Sequence, residues 1–370
     1  MRHGGGVQEL KAQIEALYGC SPGGEQSATP YAPNGTLPCA AIVSIIDFGK
    51  PLKCMQNAVK SHVLYQSQSI DEFQAFVYLT QLHQALVYST AASKWRRGKY
   101  SFGNGGFLYW QLNDVWAGPS WSSINHDGSW RAIHHAASNF FAPVTVFGTL
   151  KRLEPCQECL GALDVWLVND FSTSVQGSLT VQLIDYKAKS LEDVITLMAE
   201  TSVIAPASNA TLAWHWEDAL HNFTVRNIDK AFVRLEFCPH ENSTRYKACA
   251  VCYLPSTKPK EFTGWDTILE VISVQNCNNL NNNNHCFSLV ISATGGIAPW
   301  VLLESTILGR FSDNLLFIFP WEETRIEFYV SPSVTVLPSH LEMKESLRVS
   351  WFRGKGIAVS LEPSMRGRGH

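Results

Sequence analysis

The chain has 370 residues, of which 45% are hydrophobic and 16% charged, and its formal net charge is −3. That length holds two or three domains, and that apolar fraction is ordinary for folded protein. No basic field for nucleic acid and no polybasic patch for a membrane surface follow from such a balance. With 11% aromatic residues, it suits neutral ligands better than ionic ones.

The start, Met1–Gly6, is polar and glycine-rich and lacks the apolar segment of a signal peptide. The longest apolar runs, such as Ala40–Ile46, fall far short of the roughly 20 residues that span a bilayer. Residues 1–20 read as a short helix on Val7, Leu10, Ile14 and Leu17, closed by Gly19. Residues 21–38 are rich in Pro, Gly and Ser and read as a surface loop.

Ser69-Ile-Asp-Glu72 has the form of a capping box. It opens a long helix whose apolar positions Phe73, Phe76, Leu79, Leu82 and Leu86 recur every three or four residues. Lys94, Arg96 and Arg97 before Gly98 suit its C-terminus. "GGFLYWQLNDVW" follows, apolar on both alternating sets, which predicts a strand at about 106–113 of the parallel, doubly covered kind. A helix at about 129–141 carries Trp130, Ile133, Ala137 and Phe140 on one side. Helix, strand, loop and helix in that order is α/β organisation.

From Val144 onward short alternating segments such as "ALDVWLVND", "KAFVRLEF" and "RIEFYVSP" replace any helical period. They predict two antiparallel sandwiches with a break within 254–266. The expected division is 1–143, then sandwiches at 144–258 and 259–355, then a tail at 356–370.

Of the ten cysteines, Cys156/Cys159 and Cys249/Cys252 form CxxC pairs about ninety residues apart. A paired zinc site has roughly 15–20 residues between its pairs, so disulfides are the better expectation in an oxidising compartment. Cys277 and Cys286 bracket an Asn-rich stretch and suggest a stapled hairpin. Sequons at Asn34, Asn209, Asn222 and Asn242 read as glycosylation acceptors on a secretory route.

Residues 107–130 interleave Trp110, Trp116, Trp121 and Trp130 with Gln, Asn, Asp, Ser and His. Amides and carboxylates pair with sugar hydroxyls, and indoles lie flat against the C–H faces of pyranose rings. Gln111, Asn113, Asp114 and Trp116 would sit at the C-terminal end of the predicted strand, where a barrel gathers its ligand contacts. Equally open is a packing role for Trp110 and Trp116, with Asn113–Asp114 capping a turn. His134 and His135 read as ordinary helix residues, and His126–Asp127 as a polar turn. No glycine-rich phosphate loop and no Ser/His/Asp constellation is present, so neither cofactor nor metal is expected.

The stretch "LYWQLNDVWAGPSWSSINHDGSWRAIHHAASNFFAPV" closely resembles β-mannosidases of glycoside hydrolase family 2. "GRFSDN" at 309–314 resembles a second motif of the same enzymes, and "YLTQLHQAL" at 78–86 resembles their helix before the last barrel strand. The resemblance implies the C-terminal part of a (β/α)8 TIM barrel followed by two all-β immunoglobulin-like sandwiches. It implies removal of terminal non-reducing β-D-mannose from oligosaccharides and glycoproteins with retention, in a lysosomal or secreted protein. β-Mannoside oligosaccharides are then the partners, and Trp110, Asn113, Asp114, Trp116 and Trp121 the walls of the mannose subsite.

Retention needs two carboxylates about 5–5.5 Å apart. The family's pair lies in an Asn-Glu dipeptide and a Ser-Glu-Tyr-Gly-like segment, and neither occurs here. Glu241-Asn242 is the nearest match, inside a predicted sandwich. The opening "RHGGGVQELKAQIEALYG" resembles the family's sequence after the nucleophile strand. The expectation is therefore a truncated chain, inactive alone, with a non-catalytic sugar-binding or structural remnant as the alternative.

Overall fold

The computed structural model describes residues 72–99, 103–115, 120–152, 160–204, 211–216, 231–240, 249–255, 267–277, 285–353 and 356–359. Outside these fall the expected helix at 1–20, the loop at 21–38, Ser69, Trp116, Cys156 and Cys159, and the end of the tail. All four sequon asparagines, Asn34, Asn209, Asn222 and Asn242, lie outside them too.

Helix α1 spans Glu72–Arg97 and ends on the three basic residues expected, with Gly98 N–H returning to Lys94 O at 3.0 Å. Tyr78, Leu79, Leu82, Ala85 and Ala92 are its buried side. Helix α2, Ala132–Phe140, lies within the expected 129–141 and buries Ile133, Ala137 and Phe140 against Ala92 and Tyr88 of α1. Arg96 ties the pair together by donating to Phe140 O and Ala142 O at 2.9 and 2.8 Å, which satisfies carbonyls that a helix end leaves open.

The first sandwich has two antiparallel sheets. One orders β1 (Val144–Arg152), β2 (Leu160–Asn169) and β5 (Thr211–Trp216) as β1-β2-β5. The other holds β3 (Val175–Asp185), β4 (Val194–Ile204), β6 (Ala231–Pro239) and β7 (Ala250–Pro255) in the order β4-β3-β6-β7. Alternate residues of β3, namely Val175, Leu179, Val181 and Leu183, turn inward onto Val144, Val146, Val165 and Leu167. This two-residue period is what the alternating segments predict.

The second sandwich pairs β8 (Ile268–Asn276), β9 (Cys286–Thr294), β11 (Gly309–Phe311) and β13 (Thr324–Val330) in the order β11-β13-β9-β8. Facing it are β10 (Ala298–Ser305), β12 (Leu316–Ile318), β14 (Leu347–Arg353) and β15 (Gly356–Val359), ordered β12-β10-β14-β15. A short helix α3, His340–Ser346, enters β14 and buries Met343 in this core. Its N-terminus carries a capping box, Ser339 with Glu342.

A third core joins the parts. Tyr78, Leu79 and Leu82 of α1 meet Ala132, then Ile184, Tyr186 and Phe232, then Trp300, Leu302, Phe317 and Phe319. Tyr78 donates its hydroxyl to Trp300 O at 2.8 Å, and burial raises its pKa far above the usual phenol range. The helices are thereby anchored to the second sandwich.

The expected strand at 106–113 is not a strand here. The segment is extended but carries no ladder beyond an isolated parallel bridge, Asn113 to Ile124. Leu108 is 96% exposed and Leu112 57%. A parallel strand needs hydrogen-bonded neighbours on its edges and cover on both faces. Among the described residues no strand lies beside it, every named ladder is antiparallel, and no barrel is present. Only the inner row, Phe107 and Tyr109, is covered.

Among the described residues two disulfides close hairpins. Cys277–Cys286 staples β8 to β9 as the spacing suggests, and Cys238–Cys249 joins β6 to β7. Cys249 is therefore spent, and its CxxC partner Cys252 is a free thiol pushed up to about 11 by burial. No helix among the described residues is long and apolar enough to cross a membrane.

Candidate functional site

Residues 104–115 cross α1 as extended chain, and residues 120–131 fold against it as a tight loop. Alternation governs the first part. Phe107 stacks on Phe141 at 4.8 Å and Tyr109 meets Tyr88 edge-on at 5.8 Å, so Leu108, Trp110 and Leu112 face outward. Trp110 is 68% exposed, and the peptide that follows it is cis. The chain then doubles back: Ile124 N–H donates to Leu112 O at 2.9 Å and Asp114 N–H to Ile124 O at 3.0 Å.

Asp114 points inward, only 7% exposed. Its carboxylate accepts from Ser120 Oγ and, at 2.7 Å, from Arg131 Nη2. Arg131 also donates to Ser120 O, Ser122 O and Asn125 Oδ1 at 2.8, 3.0 and 2.6 Å. Burial lowers the Arg131 pKa, and Asp114 opposes that shift. A charge-assisted fork of this kind fixes geometry as well as charge. Asp114 is thus occupied in holding the loop.

Asn113 lies at the surface, its Nδ2 donating to Asp114 O at 3.2 Å. Trp121 is 60% exposed, while its carbonyl accepts from Gln84 Nε2 of α1 at 2.7 Å. Two of the predicted tryptophans therefore present their rings to solvent from a loop whose buried side is fixed. Trp116, the third, lies outside the described residues.

Ser123 is the second fixed point. Its hydroxyl contacts Leu112 O at 2.7 Å, Tyr109 OH at 2.9 Å and His134 Nδ1 at 3.0 Å. A carbonyl can only accept, so the single Ser123 proton goes to Leu112, and Tyr109 and His134 Nδ1–H donate to Ser123. Burial, then Arg310, depresses the His134 pKa. His135, 2% exposed, is pushed down to about 3 by burial, with His134 and Arg310 adding to it, and stays neutral. Both histidines are packing residues of α2, as the sequence suggests. His126 and Asp127 form an exposed turn in which Asp127 Oδ1 accepts from Ser129 N–H at 2.9 Å.

The "GRFSDN" motif has structural work of its own. A Cβ at Gly309 would lie 2.5 Å from Tyr329 O and 2.6 Å from Phe328 Cζ, so no larger residue fits there unmoved. Arg310 spreads between two rings, 4.9 Å from the Trp130 centroid and 5.0 Å from that of Tyr329. Asn314 accepts from Leu303 N–H and donates to Leu303 O, both at 2.8 Å. Sequence reasoning missed Gln84, Arg131 and the roles of Arg310 and Asn314. Apart from Leu315 beside Asn314, their partners lie 6 to 180 residues away in the chain, outside the regular helix and strand spacings.

Comparison with known proteins agrees with this architecture. The family model Ig_mannosidase, an Ig-fold domain, matches residues 275–350. The β-mannosidase of Capra hircus is 28% identical over 283 residues, covering 70% of this chain and 29% of the relative. That of Rattus norvegicus is 27% identical over 290 residues, 72% of this chain and 30% of the relative. A solved β-D-mannosidase from Dictyoglomus thermophilum matches with a TM-score of 0.58 at 18% identity, over 81% of this chain and 32% of that one. An exo-chitosanase from Amycolatopsis orientalis matches at 0.53 and 13% identity, over 84% and 37%. The chain thus spans under a third of the length of these curated relatives.

Proposed function

We propose that this chain, the counterpart of the C-terminal portion of β-mannosidases of glycoside hydrolase family 2, supplies part of the mannose-binding wall of such an enzyme. The reaction is removal of terminal non-reducing β-D-mannose from oligosaccharides and glycoproteins with retention. Its carrying observation is the pair of exposed indoles, Trp110 and Trp121, on a loop locked from beneath by Asp114 and Arg131. Large aromatic rings left in water on a rigid support suit stacking on an apolar sugar face.

In this reading Asn113 offers hydrogen bonds to hydroxyls, Trp116 extends the aromatic wall, and Asp114 holds the loop. Residues 1–143 correspond to the end of a (β/α)8 barrel, with 106–113 the segment that becomes its last strand once a neighbouring strand pairs with it. The outward side chains of Leu108 and Leu112 support this, because such positions are apolar where a neighbour covers them. Sandwiches at 144–258 and 259–355 and a tail at 356–370 complete the layout. Disulfides at Cys238–Cys249 and Cys277–Cys286 support an oxidising, lysosomal or secreted location, with Asn34, Asn209, Asn222 and Asn242 as glycosylation sites.

The chain contributes binding, not the acid and nucleophile, since neither glutamate motif occurs in it. The 370-residue chain is expected to leave an aryl β-mannoside uncleaved, yet to bind methyl β-D-mannoside with a change in tryptophan fluorescence. Trp110→Ala and Trp121→Ala should each weaken that binding by about 2- to 12-fold, the worth of ring stacking beyond area. Their melting temperatures should stay within about 2 °C of wild type, because exposed rings contribute little packing. Binding unchanged in both variants, or turnover by the chain itself, would refute the reading.

A further inference from the structure

Exposed rings are not held by packing, so the main chain beneath Trp110 and Trp121 must be held instead. Both backbones pass over one stripe of α1. Gln84 Nε2 donates to Trp121 O at 2.7 Å, and the Tyr88 hydroxyl makes a longer contact to Trp110 O at 3.5 Å. One turn earlier, Gln81 Oε1 accepts from Ala132 N–H, in the first turn of α2, at 3.1 Å. At 100° per residue, positions 81, 84 and 88 fall within about 60° of each other. The buried side of the same helix is anchored at Tyr78 to Trp300 O. The aromatic loop is therefore laid along a rigid element in reverse chain order, from 132 through 121 to 110.

We propose that α1 is the template of this loop and that Gln84 is a positioning residue setting where the Trp121 ring is presented to a sugar. The sugar half of the inference rests on the reading of Trp121 as a stacking platform. The template half rests on geometry alone. The 2.7 Å contact needs a donor, because Trp121 O can only accept. Gln84→Glu keeps the shape of the side chain but, when ionised, offers only acceptors and repels the carbonyl. Below about pH 4.3, the ordinary glutamate pKa, it regains a donor. Gln84→Lys keeps a donor at every pH below its own pKa.

The test uses the 15N-labelled full chain, with the Trp121 indole N–H resonance assigned through Trp121→Phe. Each variant is compared with wild type at the same pH, and melting temperatures are recorded alongside. In Gln84→Glu at pH 7 the Trp121 resonance should move and the affinity for methyl β-D-mannoside fall about 3- to 10-fold, the scale of one lost stacking platform. At pH 4 both should return toward wild type, and Gln84→Lys should resemble wild type throughout. An unmoved Trp121 resonance in Gln84→Glu at pH 7, with or without a lowered melting temperature, overturns the proposal. A resonance that moves and recovers in a chain that binds no sugar in any form supports the template and overturns the mannose reading instead.

Discussion

Asn314 offers the sharpest test of how the second sandwich is held. Strand β12 pairs with β10 at Ala298 and Val301 and then departs. The next position on that edge of β10 is Leu303, whose N–H and C=O are both met by the Asn314 amide at 2.8 Å, while Leu315 N–H reaches the same oxygen at 3.0 Å. Asn314 is 4% exposed, so its side chain supplies a rung of ladder that the backbone no longer provides. Asn314→Ala removes three hydrogen bonds worth about 1 kcal/mol each and leaves two buried main-chain groups unpaired, for a loss of about 3–4 kcal/mol. At about 4–8 °C per kcal/mol for a domain of this size, the sandwich should melt at least 10 °C lower. Thermal unfolding by circular dichroism measures this, and hydrogen exchange at the Leu303 amide should accelerate. Asn314→Asp retains the acceptor but loses the donor to Leu303 O and buries a charge, so it too should destabilise. A melting temperature within about a degree of wild type for Asn314→Ala would refute the ladder argument.

His135 should make the fold acid-sensitive. Its folded pKa of about 3 lies below the ordinary 6.5, so the unfolded chain binds the proton first as pH falls. Stability is full above about pH 6.5 and declines toward pH 3, by at most roughly 5 kcal/mol; His135→Gln should flatten that part of a urea-midpoint-versus-pH curve. Gly309→Ala places a Cβ 2.5 Å from a main-chain oxygen, which costs about 1–3 kcal/mol of overpacking and should appear as a lower urea midpoint. Arg310→Ala removes a guanidinium from the faces of Trp130 and Tyr329. At an exposed site each such contact contributes about 0.5–1 kcal/mol, so a modest melting shift with altered Trp130 fluorescence is expected, and an unchanged spectrum would count against the contact.

Local periodicity carried much of this protein. The 3.6-residue recurrence of Leu79, Leu82 and Leu86 and the basic end at Lys94–Arg97 defined α1, and two-residue alternation marked the strands of both sandwiches, because a helix face and a pleated strand each write their period into the chain. Hairpin closure at Cys277–Cys286 was legible for the same local reason. The motif at 107–130 announced its aromatic character but not which rings face water. Residues 106–113 have strand composition, yet a strand exists only where a neighbour pairs with it, and that neighbour is not a property of the segment. Only the tertiary structure turned Asp114 inward to Arg131, set Asn314 against Leu303, and laid Arg310 over Trp130 from 180 residues away. Each of these depends on where a distant backbone passes, and the order of residues along the chain does not encode that distance locally.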